Sequence, residues 1–181
     1  MKSMIIYGSK YGTSKKYALK LSEKLDILAI SYKEAEDINN YDSIIYIGGL
    51  YAGGVCGMAK TLRKWTVTEN KRLCIITVGL SDPKEEKNIT NIRKVMKTQL
   101  AEELDNMASI FHLRGGIDYS GLNAAHRLMM SMLYKKAKNI PSEHQDAETK
   151  AMVETYNQKV DFVNFEELEP IVEYLKEKNN L

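Results

Sequence analysis

Residues 4–14 read MIIYGSKYGTS, and they carry the strongest structural signal in the chain. The first four residues form a short apolar run typical of a buried strand, and apolar residues at helical spacing begin at Tyr17. Between them lies the turn Ser9–Ser14, which is rich in glycine and hydroxyl groups. Such a turn presents backbone N–H groups and hydroxyls at the positive end of a helix. The stretch therefore predicts a strand, a turn that binds a phosphate group, and a helix.

Outward from this stretch, apolar runs and helical patterns alternate along the chain. The strongest runs are continuously apolar, which favours a parallel sheet covered on both faces. Strands joined by helices in this way normally have right-handed crossovers, so the sequence predicts an α/β fold with five strands. The predicted strands span residues 3–8, 26–31, 43–48, 72–78 and 108–114, and the predicted helices span 13–25, 56–65, 84–104 and 165–178.

The composition narrows the class of protein. A chain of 181 residues suits a single domain over 1–181, and its net charge of +2 gives no indication of a nucleic-acid partner. Cys56 and Cys74 are expected to be free buried thiols, because the N-terminus shows no secretion signal. No run approaches the ~20 apolar residues of a membrane-spanning helix. The expected location is the cytoplasm.

Three loops follow predicted strands at the end of the sheet where parallel α/β folds bind their ligands. They are Ser9–Ser14, the glycine-rich segment Gly48–Gly54, and the turn Gly79–Pro83. We take as candidate binding residues Ser9, Lys10, Tyr11, Gly12, Thr13, Ser14, Gly49, Leu50, Tyr51, Ala52, Gly53, Gly79, Leu80, Ser81 and Asp82. The sequence shows no clear catalytic acid or base, and its histidines lack the spacing of a metal site.

Each loop also has an ordinary structural interpretation. The hydroxyl residues of the first loop are those that commonly cap a helix. Tyr51 is either an exposed loop residue or a ring that stacks on a planar ligand, which the surrounding glycines allow to approach the backbone. Ser81 and Asp82 either line the ligand or form a turn before Pro83.

About fifty residues separate the fifth strand from the final helix, far more than an ordinary loop of ~2–6 residues. This insertion, at about 115–160, contains a helical pattern over 122–138 that is rich in methionine and ends in lysines. The apolar face of that helix packs on the sheet edge, forms a dimer face, or contacts a quinone or a membrane surface. His126, within the helix, is expected on the surface.

Together the three loops resemble those of the flavodoxin-like family, and the resemblance covers nearly the whole chain. Ser9, Gly12 and Ser14 match in kind the family's Ser/Thr-x-Thr-Gly-x-Thr phosphate motif, with Tyr11 at the third position. The resemblance implies a doubly wound five-stranded parallel sheet in the order 2-1-3-4-5, an FMN cofactor, and a flavin ring stacked on Tyr51. FMN is expected rather than FAD, because the first loop lacks the Gly-x-Gly-x-x-Gly pattern of a dinucleotide site.

Within that family the chain is most similar to the flavodoxin-like, menaquinone-dependent protoporphyrinogen oxidases. The shared features are a first loop without threonine at the third position, a tyrosine among the glycines of the second loop, and the insertion. That insertion begins RGGIDY at residues 114–119 and leads into a Met-rich basic helix. The resemblance implies an FMN-dependent oxidoreductase with protoporphyrinogen as the donor and a quinone as the acceptor.

Two other functions fit the same residues. A flavodoxin acting as a one-electron carrier needs only redox protein partners, although such carriers tend to be strongly acidic and this chain has a net charge of +2. A flavodoxin-like domain without flavin would have a regulatory or interaction role. Helix 122–138 adds a further expectation, which is peripheral contact with the inner face of a membrane.

Overall fold

The computed structural model describes residues 1–51 and 53–179, and it shows a central sheet with helices on both faces. The strands of this sheet are β1 (Ser3–Gly8), β2 (Ala29–Ser31), β3 (Ser43–Tyr51), β4 (Gly54–Val55), β5 (Arg72–Gly79) and β6 (Ala108–Arg114). Five of them pair in parallel in the order β2-β1-β3-β5-β6, and the short β4 pairs antiparallel with the end of β3. This arrangement confirms the predicted order 2-1-3-4-5 of five parallel strands.

Seven α-helices are described, namely α1 (Thr13–Leu25), α2 (Met58–Leu62), α3 (Glu86–Lys97), α4 (Glu102–Met107), α5 (Ala124–Ala137), α6 (Ala147–Glu154) and α7 (Glu169–Asn179). Successive strand residues enter opposite core layers. Ile5 and Ile45 pack with α1 and α7, whereas Ile6 and Ile44 pack with α2, α3 and α4. Because both faces of the strands are buried, the strands are continuously apolar in sequence.

The predicted helix over 84–104 is broken into α3 and α4, so this prediction is wrong in its centre. Thr98 Oγ1 donates to the carbonyl oxygen of Val95 at 2.7 Å, which competes with helix continuation. Gln99 leaves the helix, and its Oε1 accepts the N–H of Val55 at 2.8 Å. The break therefore serves to hold β4 against the end of β3.

Three other predicted elements are shorter than expected. The second strand begins only at Ala29, since Asp26 has a left-handed backbone (φ 52°) that turns the chain at the end of α1. Helix α2 begins after Gly57, which is also left-handed (φ 77°). Helix α7 begins at Glu169 and has Pro170 in its first turn, where the missing N–H of proline costs nothing.

The insertion forms a compact unit beside the carboxyl ends of the strands. Its two ends pair as β7 (Gly116–Asp118) and β8 (Lys159–Asp161), and α5 confirms the helix predicted over 122–138. Between these elements lies a small core, which consists of the buried residues Ile117, Tyr119, Leu122 and Met130. This core also packs against Tyr11 of the first loop and Leu80 of the third loop. The insertion therefore lies on the predicted binding loops.

Candidate functional site

A cavity of about 530 Å³ lies at the carboxyl ends of the central strands. Its size is in the range of ~300–1,000 Å³ that is usual for small-molecule sites. The predicted residues that line it are Ser9, Lys10, Tyr11, Thr13, Ser14, Gly49, Leu50, Tyr51, Gly53, Gly79 and Leu80. Gly12 and Ser81 adjoin these lining residues in the chain and Asp82 follows Ser81, whereas Ala52 lies outside the described residues. The fold thus brings the three loops to one cavity, and their role in binding stays a prediction.

The first loop leaves the start of α1 open to a ligand. Gly12 has a left-handed backbone (φ 91°), and its N–H donates to Ser9 Oγ at 3.1 Å. Ser9 therefore closes the turn, and no side chain caps α1 in the part of the chain that the structure describes. The first N–H groups of a helix have no partner within the helix itself. Those of α1 are available as donors to an anion at the cavity edge.

A glycine in the second loop leaves room for a ligand beside the start of α1. Ser14 is buried, and a Cβ on Gly49 would lie 3.0 Å from its Oγ. Any larger residue at Gly49 would crowd the Ser14 hydroxyl between the first two loops. The hydroxyl, the open helix start and the bare backbone have the donors and the space that a phosphate group requires.

Aromatic rings from the first loop, the second loop and the insertion meet at the cavity. The ring centroids of Tyr11 and Tyr51 are 6.0 Å apart, and His126 lies 6.3 Å from Tyr11 and 6.5 Å from Tyr51. Lys10 Nζ lies 5.2 Å from the centroid of the Tyr51 ring. His126, expected on the surface, is half-buried and lies beside both tyrosines.

Neighbouring methionines of α5 contact both tyrosines. The hydroxyl of Tyr51 donates to Met129 Sδ at 2.8 Å, and the hydroxyl of Tyr11 donates to Met130 Sδ at 3.4 Å. Burial raises the pKa of Tyr11 well above its usual range, and the nearby Tyr51 adds to this effect. Tyr11 therefore remains protonated at neutral pH and keeps its hydrogen to donate.

A carboxylate of the insertion binds the third loop. Glu148 Oε2 accepts the N–H of Leu80 at 3.3 Å, and Oε1 accepts the N–H and the hydroxyl of Ser81 at 3.3 and 2.9 Å. Burial raises the pKa of Glu148, and the hydrogen bonds from Ser81 and Leu80 oppose that rise. Ser81 is thus occupied by the insertion, while its neighbour Leu80 still lines the cavity.

Asp82 forms a turn with the residues that follow it, which is one of the two interpretations of its sequence. Its Oδ1 accepts the N–H of Lys84 at 2.9 Å, and its carbonyl oxygen accepts from the side chain of Asn88 at 3.0 Å. These bonds direct the chain from β5 into α3. That Asp82 also borders a ligand stays a prediction.

Part of the cavity lining is apolar and comes from α3 and from helices of the insertion. Helix α3 contributes Ile92 and Val95, and the insertion contributes Leu133, Ala137 and Met152. The lining there also includes the charged residues Lys136, Asp146 and Glu148. The cavity therefore combines polar loops with an apolar surface that extends between α3 and the insertion.

Glu148 could not be recognised as a site residue from the sequence, because residues 142–150 are polar and show no apolar periodicity. A local signal is present, since aspartate is one of the residues that commonly cap the start of a helix. Asp146 Oδ1 accepts the N–H of Thr149 at 2.7 Å, which places Glu148 in the first turn of α6. That signal locates the helix but not the loop that it contacts.

Several other properties of the chain bear on the class of site. Among residues 1–51 and 53–179, no group of His, Cys, Asp or Glu side chains is arranged to hold a metal ion. In the same described ranges, no helix has the length and apolarity needed to cross a membrane. Cys56 and Cys74 are buried free thiols, as predicted, and burial raises the pKa of both.

Comparison with known sequences identifies one family. A family profile described as a flavodoxin domain matches residues 4–143. No curated protein sequence is significantly similar to this chain.

Solved structures of similar fold include oxidised flavodoxin 1 from Bacillus cereus, which has 12% identity and a TM-score of 0.45 and covers 63% of this chain and 84% of that one. A flavoprotein from Lactobacillus acidophilus in complex with FMN has 16% identity and a TM-score of 0.40, over 62% of this chain and 91% of that one. A Fusobacterium nucleatum flavodoxin bound to flavin mononucleotide has 15% identity and a TM-score of 0.44, over 68% and 75%. Identities at this level concern the fold alone.

Proposed function

Because this chain belongs to the flavodoxin family, we propose that it binds FMN in the cavity formed by its three loops. The observation that carries this proposal is the open start of α1, where uncapped N–H groups and the buried Ser14 hydroxyl border the cavity. FMN suits this site better than FAD does, since the first loop lacks the glycine pattern of a dinucleotide site.

Each loop has a proposed role in holding the cofactor. The loop Ser9–Ser14 holds the phosphate, Gly49–Gly53 lies against the ring with Tyr51 stacked on it, and Gly79–Asp82 borders the ring edge. When bound, FMN supplies reversible electron transfer, whereas the chain binds it, orients it and shields it from water. Tyr51 suits the stacking role because offset aromatic contacts add ~0.5–1.5 kcal/mol beyond the area that they bury.

The proposed activity is that of an FMN-dependent oxidoreductase resembling protoporphyrinogen IX dehydrogenase, with a quinone as electron acceptor. The apolar wall between α3 and the insertion supports it, because Ile92, Leu133 and Met152 offer a surface for a large apolar donor or acceptor. The chain's own part is to place such a molecule beside the ring.

The activity is tested by photoreducing the purified flavoprotein without oxygen and then adding acceptors. We expect fast reoxidation by menaquinone analogues and slower reoxidation by one-electron carrier proteins. The reverse order of rates would contradict the oxidase proposal and support a carrier. A purified chain that holds no flavin and takes up none would contradict both the oxidase and the carrier proposals.

The alternative function is a flavodoxin acting as a one-electron carrier between redox partners. The observation in its favour is the pair Lys10 and Lys136 in the cavity lining, because cations beside the cofactor suit an acidic redox protein. Family membership supports this alternative as well as it supports the oxidoreductase.

Peripheral contact with an anionic membrane is a further part of the proposal. On α5, Leu128 is 64% exposed and Met132 is 57% exposed, and Lys135 and Lys138 follow them as exposed residues. An apolar face flanked by lysines is the pattern of a helix that lies in the interface of anionic lipids.

The double substitution Leu128→Asp and Met132→Asp should lower co-sedimentation with vesicles rich in anionic phospholipid by at least about tenfold, because it removes apolar contacts and adds repulsion. Leu28→Asp is the matched control, since Leu28 is 63% exposed but lies next to β2, outside the insertion. A wild-type chain that does not sediment with the vesicles, or equal losses in both variants, would contradict membrane contact.

A further inference from the structure

The third loop is held from both sides by charged side chains. Glu148 binds the N–H of Leu80, and Arg114 Nε donates to the carbonyl oxygen of the same residue at 2.9 Å. The Arg114 guanidinium itself lies over the ring of Phe162, 3.8 Å from the centroid. Hydrogen bonds to charged groups are stronger than those between neutral groups. The backbone of Leu80 is therefore fixed at its N–H and at its C=O.

Gly79 gives Glu148 access to this position. A Cβ on Gly79 would overlap with Glu148 Oε1, so only a glycine lets the carboxylate lie against the loop. Gly79 and Glu148 both line the cavity. Both carboxylate oxygens accept hydrogen bonds from N–H groups, which is the arrangement that an ionised acid prefers. The carboxyl group of Glu148 thus lies at the loop proposed to border the flavin, and the hydrogen bonds from Ser81 and Leu80 counteract the rise in its pKa that burial causes.

We infer that Glu148 is a positioning residue that fixes the third loop and, through its charge, lowers the reduction potential of the bound flavin. The inference rests on the proposed binding of FMN. Because reduction adds electron density to a bound flavin, a nearby carboxylate opposes it. The insertion therefore sets the geometry and the electrostatic environment of the ring through one side chain, in addition to covering the cavity.

The positioning role is tested by amide hydrogen exchange of the chain with and without FMN. Glu148→Gln replaces an acceptor oxygen by an amide group, so the N–H groups of Leu80 and Ser81 should exchange at least about tenfold faster. Glu154→Gln, at the exposed end of the same helix, is the matched control and should leave both rates unchanged. Unchanged rates in Glu148→Gln would overturn the positioning role, even in a chain that binds no flavin.

The electrostatic role is tested by the midpoint potential of the FMN-loaded protein. Glu148→Gln should shift this potential to a more positive value. Asp146→Asn removes a second carboxylate of the cavity lining, which caps α6 by accepting the N–H of Thr149. This variant should give a smaller shift of the midpoint potential. An unchanged potential in Glu148→Gln, or an equal shift in Asp146→Asn, would overturn this role. A wild-type chain without bound flavin would instead mark the failure of the proposed function.

Discussion

A Gly12→Val variant should bind FMN at least about 100-fold more weakly than the wild-type apoprotein, while its affinity for riboflavin falls less than about threefold. Gly12 has φ 91°, a conformation that costs other residues ~1–2 kcal/mol, so the turn should relax and move the N–H donors of α1. Each lost hydrogen bond to a charged group costs ~1.5–3 kcal/mol. Two such losses correspond to ~10²–10⁴-fold in affinity. Quenching of flavin fluorescence during titration measures both ligands.

Gly53→Val is the matched control for this variant. Gly53 is also left-handed (φ 78°), and no atom lies within 4 Å of an added Cβ at Gly53 or at Gly12. Because Gly53 belongs to the loop proposed to contact the flavin ring, its substitution should lower the affinities for FMN and for riboflavin by similar factors. Equal losses of the two ligands in Gly12→Val would place the phosphate elsewhere.

Tyr51→Ala should lower the affinity for FMN and for riboflavin alike by about 5–30-fold. This factor corresponds to the ~1–2 kcal/mol of a lost aromatic contact and its buried area. The variant should also change the flavin absorbance and raise its fluorescence, since a stacked tyrosine quenches the ring. Titration of the apoprotein and spectra of the complex provide the two measurements.

Tyr51→Phe separates the ring from its hydroxyl. Phenylalanine keeps the aromatic face but loses the bond from Tyr51 to Met129 Sδ, so flavin affinity should stay within about threefold of wild type. An unchanged spectrum and affinity in Tyr51→Ala would show that the flavin ring does not lie against Tyr51. A Phe variant as weak as the Ala variant would assign the effect to the hydroxyl.

The parallel sheet could be predicted because its signal is local. Ile44 and Ile45 are both fully buried in opposite layers, and this two-sided burial produces a continuous apolar run. The first loop had an equally local signal, since a strand, a glycine turn and a helix follow one another within 4–25. The break between α3 and α4 was hidden, because apolar spacing continues through Leu104 while side-chain bonds end the helix.

The contacts of the insertion depend on long-range packing that no local pattern encodes. Tyr51 meets Met129 across 78 positions, and Leu80 meets Glu148 across 68. Both contacts are made by residues of the insertion, whose two ends pair as β7 and β8. The sequence therefore indicated which residues form the loops, but not which insertion residues contact them.

The proposed FMN site depends first on the open start of α1, which we propose holds the phosphate. Isothermal titration of the wild-type apoprotein with FMN and with riboflavin tests it most directly, because the two ligands share the ring and differ in the phosphate. We expect one FMN bound per chain, at least about 100-fold more tightly than riboflavin. Equal affinities for the two ligands, or no heat of binding with FMN, would contradict it.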